Sequence, residues 1–305
     1  MPRAAAMEAA QRRLLRWFDA HARTFPWRDH RDPYRTLVAE VMLQQTQAGR
    51  VADVYPEFLD HFPTAEYLAH APAMDVIRAW RGLGYNRRAV DLQRASHDIA
   101  HAGEFPSDVR SLRRLPGVAE YTAAAVACFA FDAQIPVVDI NTRRVLARAA
   151  LGAESESVAV GVMNRTAKTW LLDGEAYRWN QALMDLGALV CRPARPRCGK
   201  CPLHESCRYY ARGLHRRPRA SRAAVEPLDG SRRRKRGAVV DALRAAAERG
   251  LSLARLAAAV HSDGSGDRDL MWLVELLEGL ERDGLVTLTP AARRGSSRGL
   301  VRLPS

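Results

Sequence analysis

The first 210 residues form a succession of short stretches with apolar residues three and four apart, each closed by turn-forming residues. This pattern predicts helices over residues 7–21, 34–51, 53–62, 73–80, 87–101, 109–114, 120–131, 142–150, 158–172 and 176–190. Alternating β-branched runs are few and no segment repeats at a fixed period, so the body reads as all-α. Over residues 211–236 the pattern lapses. Ten basic residues stand there against two acidic ones, among Pro, Ser and Ala, which reads as a basic linker whose bounds are placed at 213–236. Beyond it, residues 238–248, 253–261 and 270–283 read as amphipathic helices, followed by strands at 285–289 and 300–303. Three helices and a hairpin predict a small winged-helix-like module over 237–305.

Composition narrows the class of partner. The chain has 305 residues, enough for more than one core, and a net charge of +13 with 47 lysines and arginines. Such an excess favours a polyanion, because cations docked on phosphates release condensed counterions. Nucleic acid is the first expectation. A membrane surface is the competing one, but no apolar stretch approaches the roughly 20 residues that span a bilayer. The N-terminal segment lacks the apolar core of a signal peptide and carries Glu8 and Asp19, so a cytoplasmic, nucleoid-associated location is expected. Only Lys168, Lys200 and Lys235 are lysines, a scarcity that matters below. Of five cysteines, four fall between Cys191 and Cys207, whereas Cys128 lies alone in an apolar run and reads as a small buried hydrophobe.

Four features carry candidate chemistry. Leu115-Pro116-Gly117-Val118-Ala119 precedes the helix predicted at Glu120, and a tight turn there would present that helix's free N–H groups to a phosphate, or be an ordinary helix connection. Asp139 stands between an apolar segment and a basic helix carrying Arg143, Arg144 and Arg148, where it can be an N-cap or a catalytic carboxylate. Glu40 is collared by Val38, Ala39, Val41, Met42 and Leu43; it either faces solvent or is buried, and burial would raise its pKa. Two carboxylates in different settings suit glycosidic bond cleavage, one as proton donor and one as stabiliser of the sugar cation. Finally, Cys191-x6-Cys198-x2-Cys201-x5-Cys207 suits a four-thiolate site for structural zinc or an iron–sulfur cluster, and the basic residues between the ligands suit a phosphate clamp.

Taken together, these residues resemble the helix-hairpin-helix (endonuclease III) superfamily of DNA glycosylases and, within it, the adenine DNA glycosylase (MutY) family. The resemblance runs from about Leu14 to Tyr210 and is carried by Phe25-Pro26-Trp27-Arg28, Glu40-Val41-Met42-Leu43-Gln44-Gln45-Thr46-Gln47, Gly82-Leu83-Gly84-Tyr85, Asn180-Gln181-Ala182-Leu183-Met184-Asp185-Leu186-Gly187 and the cysteine spacing. It implies a two-lobed glycosylase body over 1–212, with a six-helix lobe at about 29–137 and a lobe at about 1–28 and 138–212 holding a [4Fe-4S] cluster on Cys191, Cys198, Cys201 and Cys207. It makes Glu40 the general acid at adenine N7 and activator of water, Asp139 the stabiliser or covalent partner of the sugar cation, and Asn141 the keeper of their geometry. Trp27, Arg28 and Gln181 would serve the pocket for the flipped adenine, Gln45 and Tyr85 would wedge beside the opposing base, and Gly117, Ala119 and Arg143 would contact DNA.

Tyr121 stands where strand-cutting relatives place a Schiff-base lysine, and no lysine precedes Lys168, so a water-using, monofunctional enzyme is implied. Tyrosine here also occurs in thymine-mismatch relatives. Three departures stand out: Ala119 replaces the second hairpin glycine, Ile140 and Thr142 replace the usual neighbours of the aspartate, and residues 238–305 are too short and too helical for a Nudix-like domain. The resulting expectation is a monomeric hydrolase removing adenine mispaired with 8-oxoguanine or guanine in duplex DNA. A thymine, uracil or alkylpurine glycosylase and a non-catalytic DNA-binding protein are the alternatives.

Overall fold

The computed structural model describes residues 2–216, 232–246, 249–260 and 270–305. Its helices run in order α1 (Pro2–His21), α2 (Pro33–Leu43), α3 (Ala48–His61), α4 (Ala65–His70), α5 (Ala73–Ala79), α6 (Arg87–Ala102), α7 (Val109–Leu112), α8 (Glu120–Phe131), α9 (Ile140–Leu146), α10 (Val160–Trp170), α11 (Ala176–Leu189) and α12 (Arg208–Ala211). The C-terminal residues add α13 (Arg232–Ala245), β1 (Leu251–Ser252), α14 (Leu253–Val260), α15 (Leu270–Arg282), β2 (Thr287–Leu288), α16 (Pro290–Arg293) and β3 (Leu300–Arg302). The body is all-α, as its periodicity indicates. No described helix is long and apolar enough to cross a membrane.

Several boundaries differ from those the sequence predicts. The break expected between helices at 34–51 and 53–62 falls earlier: α2 ends at Leu43 and α3 begins at Ala48, parted at Gln45, whose φ of 55° is left-handed. Nothing in Gln-Gln-Thr-Gln signals a break, since none of these residues resists a helix strongly; a buried arginine described below makes it. Short α4 has no counterpart among the predicted helices, although Thr64 caps it by accepting from the Tyr67 N–H. The helix expected at 142–150 begins at Ile140 and ends in a π-helical turn over Ala147–Leu151. Arg232–Arg236, counted with the linker on composition, form the start of α13, while linker residues 217–231 lie outside the described residues.

Two compact units are formed. The first comprises Met1–Thr36, Ser107–Arg114 and Val118–Ala223. Leu14, Phe18, Leu146, Met163, Trp179, Leu183 and Leu186 make its core, with Cys191, Cys201 and Cys207 packed against it. A fully buried side chain of this size contributes about 1.5–3 kcal/mol. Helix α11 approaches α9 so closely that a Cβ on Gly187 would meet the Asn141 Cβ at 2.6 Å.

The second unit comprises Leu37–Pro106, Leu115–Gly117 and Ala224–Ser305. Ile77 of α5 and Val90 of α6 share one core with Val239, Leu243, Leu256, Leu273, Leu277, Leu280 and Val301, so the C-terminal module and the helical lobe are packed as one body. Its sheet has the order β1-β3-β2, antiparallel, with Leu251 opposite Val301 and Thr287 opposite Arg302. Among the described residues these are the three helices and two strands expected from the pattern, with β1 and the short α16, which lies between β2 and β3, added to them.

Candidate active site

Of the two candidate catalytic carboxylates, one falls in each unit. In the second unit, Glu40 lies on α2 and is only 5% exposed, so of the two expectations it is the buried one that holds. The end of that helix is set by Arg88, which donates through one nitrogen to the Val41 (2.7 Å) and Met42 (2.8 Å) carbonyls. These carbonyls belong to the last turn of α2, where a helix leaves its acceptors unsatisfied. The other terminal nitrogen of Arg88 donates to the Leu83 and Gly84 carbonyls at 3.1 and 3.0 Å and to Thr46 Oγ1 at 3.0 Å. One buried guanidinium thus ends the helix carrying Glu40 and joins the Gln45 turn to the Gly82–Tyr85 turn. Burial brings its pKa down to about 10. Sequence reasoning misses Arg88, because an arginine in a basic chain looks like one more surface cation.

The two turns share an unusual backbone. Gln45 (φ 55°) and Tyr85 (φ 45°) are two of only three non-glycine residues with left-handed φ among the described residues. Such conformations cost about 1–3 kcal/mol and persist where the surroundings over-determine them. Both are candidates on sequence grounds, and the structure places them on the lining of one groove. Gly117, at φ 73°, adopts the conformation that favours glycine, and a Cβ there would also lie 2.9 Å from the Asp91 Cβ. Ala119 occupies the N-cap of α8 and has no side-chain acceptor to offer that helix's first N–H groups.

In the first unit, Asp139 is the N-cap of α9: one carboxylate oxygen accepts from the Thr142 N–H at 2.6 Å and the other from Asn141 Nδ2 at 2.9 Å. Asn141 Oδ1 in turn accepts from Arg144 at 2.8 Å, and Arg144 also donates to the Gly187 carbonyl at 2.8 Å and the Cys191 carbonyl at 2.6 Å. A continuous set of hydrogen bonds therefore runs from Asp139 to the first cysteine of the cluster motif. The segment leading into Asp139 is pinned by Asn180, fully buried, which accepts from the Val137 N–H at 2.8 Å and donates to the Ile135 carbonyl at 3.0 Å. Arg143, half-buried, donates to the Val158 carbonyl.

Trp27 stacks on Phe25 with ring centroids 4.6 Å apart, in a 3-10 turn begun by Pro26. Arg28 makes a two-pronged pair with Asp185, at 2.9 Å on each oxygen, and Arg23 adds a third and a fourth bond. Burial alone would push the Asp185 carboxyl up, but the hydrogen bonds and charges of Arg28 and Arg23 hold it below the usual carboxylate range. Gln181 is 5% exposed on α11. Tyr121 is half-buried on α8, packed against the small core of Cys128, Phe129 and Met184. Cys128 is the buried small residue that the sequence suggests, its thiol pushed up to about 11 by burial.

Cys191, Cys198, Cys201 and Cys207 line one hollow together with Val190, Pro196 and Tyr209. Among the described residues no three His, Cys, Asp or Glu side chains are placed to hold a single metal ion. Burial first, then the nearness of the other sulfurs, pushes the Cys201 thiol up to about 12. Arg148, 2% exposed, donates to the Cys191 sulfur at 3.6 Å and to the Arg192 and Pro193 carbonyls, which fixes the loop from beneath.

The geometry agrees with the similarities of the chain. Residues 38–169 match the family described as HhH-GPD superfamily base excision DNA repair protein. An adenine DNA glycosylase of Mycobacterium tuberculosis is 40% identical over 285 residues, covering 92% of this chain and 91% of that protein. Its counterpart from Mycolicibacterium smegmatis is 41% identical over 234 residues, covering 76% and 79%. Among solved structures, a thermostable thymine-DNA glycosylase superposes with a TM-score of 0.65 at 30% identity, over 70% of this chain and all of that one. With its buried Glu40, its capped Asp139 and a likeness that extends over nine-tenths of a relative, the chain belongs to the adenine DNA glycosylase family of the HhH-GPD superfamily.

Proposed function

We propose that this protein hydrolyses the N-glycosidic bond of adenine mispaired with 8-oxoguanine or guanine in duplex DNA. The observation that carries the reading is the contrast between its two carboxylates. Glu40, almost wholly buried on α2, is suited to hold a proton for the departing base and then to take one from water. Asp139, with N–H donors on both oxygens, is oriented to face a developing positive charge on the sugar. Tyr121 supplies no amine, so hydrolysis without strand cleavage follows. The half-buried Trp27 and the buried Gln181 are assigned to the base pocket, and Arg28 supports it through Asp185.

The four cysteines fit a [4Fe-4S] cluster, which would supply charge and cross-linking to the loop that Arg144 and Arg148 anchor. Purified protein with broad absorbance near 400 nm supports this assignment; colourless protein with one equivalent of zinc refutes it.

A panel of single-lesion duplexes tests the activity. Release of adenine opposite 8-oxoguanine or guanine, with no strand nick until alkali is added, is expected. Release of thymine opposite guanine in place of adenine would transfer the protein to the specificity of its thymine-acting structural neighbour.

A further inference from the structure

A groove of about 950 Å³ lies within the second unit, where the C-terminal module meets the helical lobe. Seven arginines and three aspartates line it. The acids are already engaged: Asp283 by Arg87 at 3.1 Å and by Arg236, and Asp241 by Arg244 at 2.6 Å, while Asp91 lies 3.4 Å from Arg87. Arg244 is itself tied to the lobe, donating to the Ile77 carbonyl at 2.9 Å and to Asn86 Oδ1 at 2.8 Å. Arg232 and Arg233, both exposed, stand on the same lining outside these pairs.

Two further observations concern these arginines. They follow one another at the start of the described part of α13, a run of like charge. A local arrangement of this sign is stabilised by an external anion. Also, the Arg233 guanidinium lies 3.9 Å from the centroid of the Tyr85 ring, so the module's basic turn reaches one of the two strained residues on the groove's rim. Arg232 pairs with Glu275 at 3.2 Å, an exposed ion pair worth about 1 kcal/mol at most.

We propose that this groove binds the phosphate backbone of duplex DNA, with the C-terminal module as one wall and the helical lobe as the other. The module is then part of the DNA grip of the enzyme and not an appendage to it. A likeness spanning 92% of the chain has to run into the module, as this shared role requires. The proposal rests on duplex DNA being the substrate.

Full-length protein and an R232A/R233A variant are titrated onto a fluorescent duplex bearing a non-hydrolysable adenine analogue opposite 8-oxoguanine, over a series of salt concentrations. The variant is expected to bind about tenfold more weakly at low salt, with a slope of log K against log salt shallower by about 2, near 0.9 for each phosphate that is no longer neutralised. R232K/R233K, which keeps the charge, is expected to restore most of both. Parental affinity and slope in the alanine variant overturn the proposal, as does a lysine variant no better than the alanine one. Because binding is read on an uncut duplex, absence of adenine release counts against the proposed activity and leaves this inference standing. Preserved activity with an unchanged salt slope does the reverse.

Discussion

Glu40 and Asp139 stand in different settings, one almost wholly buried on α2 and one capping α9. Glu40 lies on a helix whose end is set from outside by Arg88. Asp139 is fixed by what it binds: a backbone N–H, Asn141 and, behind them, Arg144. Burial disfavours the charged form of a carboxyl group in general, whereas N–H donors on both oxygens aim a carboxylate. The first is vulnerable to changes in packing and the second to changes in hydrogen bonding. Catalysis that needs one acid and one fixed anion can draw both from the same kind of side chain.

That contrast can be broken by substitution, beginning with the carboxylates themselves. E40Q and D139N are each expected to lower single-turnover adenine release by about 10³-fold, within the range for loss of a positioned acid–base group. D139N should melt within a few degrees of the parent, because asparagine caps a helix as well as aspartate does. A D139N enzyme of near-parental rate would reduce Asp139 to its capping role.

The next effect concerns Arg88. R88M leaves the Val41, Met42, Leu83 and Gly84 carbonyls without this buried donor and should destabilise the protein by about 3 kcal/mol, with unfolding in denaturant as the measure. Slower base release by the folded fraction would show that Arg88 positions Glu40; a stability loss with unchanged rate confines it to the fold.

D185N removes the anion that pairs Arg23 and Arg28 and should likewise cost about 3 kcal/mol near neutral pH. Its pH dependence has a definite sign. The folded carboxyl lies below its unfolded value, so its contribution is complete above about pH 4 and is lost as pH falls through the folded value. Parent and D185N should therefore converge in acid; a constant difference down to low pH would place the loss in packing instead.

The smallest effect is expected from G187A. The added methyl meets Asn141 at 2.6 Å and should destabilise by about 1–3 kcal/mol while disturbing the support of Asp139. Stability lost without any change in rate would detach Asn141 from the catalytic geometry.

Much of this is legible in the chain itself. Helices α6, α8 and α11 follow from apolar spacing almost to the residue, and the apolar neighbours of Glu40 raise the case for burial without deciding it. The cysteine spacing alone marks a ligand set, which the hollow then gathers. Other features leave no trace. The break between α2 and α3 falls in residues that would continue a helix if Arg88, more than 40 positions away, did not take its carbonyls. Asn180 belongs to a recognisable motif, yet its task of steering the chain into Asp139 depends on carbonyl and N–H groups that no side-chain pattern encodes.

By itself, then, the sequence determined the all-α body, the residue types available for chemistry, the lack of a lysine nucleophile before Lys168 and the basic character of residues 232–236. These are properties of local spacing and composition, which each segment carries wherever it folds. Tertiary structure alone decided that Arg88 would be buried and organising, that Gln45 and Tyr85 would be held in left-handed strain, and that a basic turn of α13 would meet Tyr85 across a shared groove. Such outcomes depend on which distant groups supply the missing hydrogen bonds and share a core, and that information exists only once the chain has closed on itself.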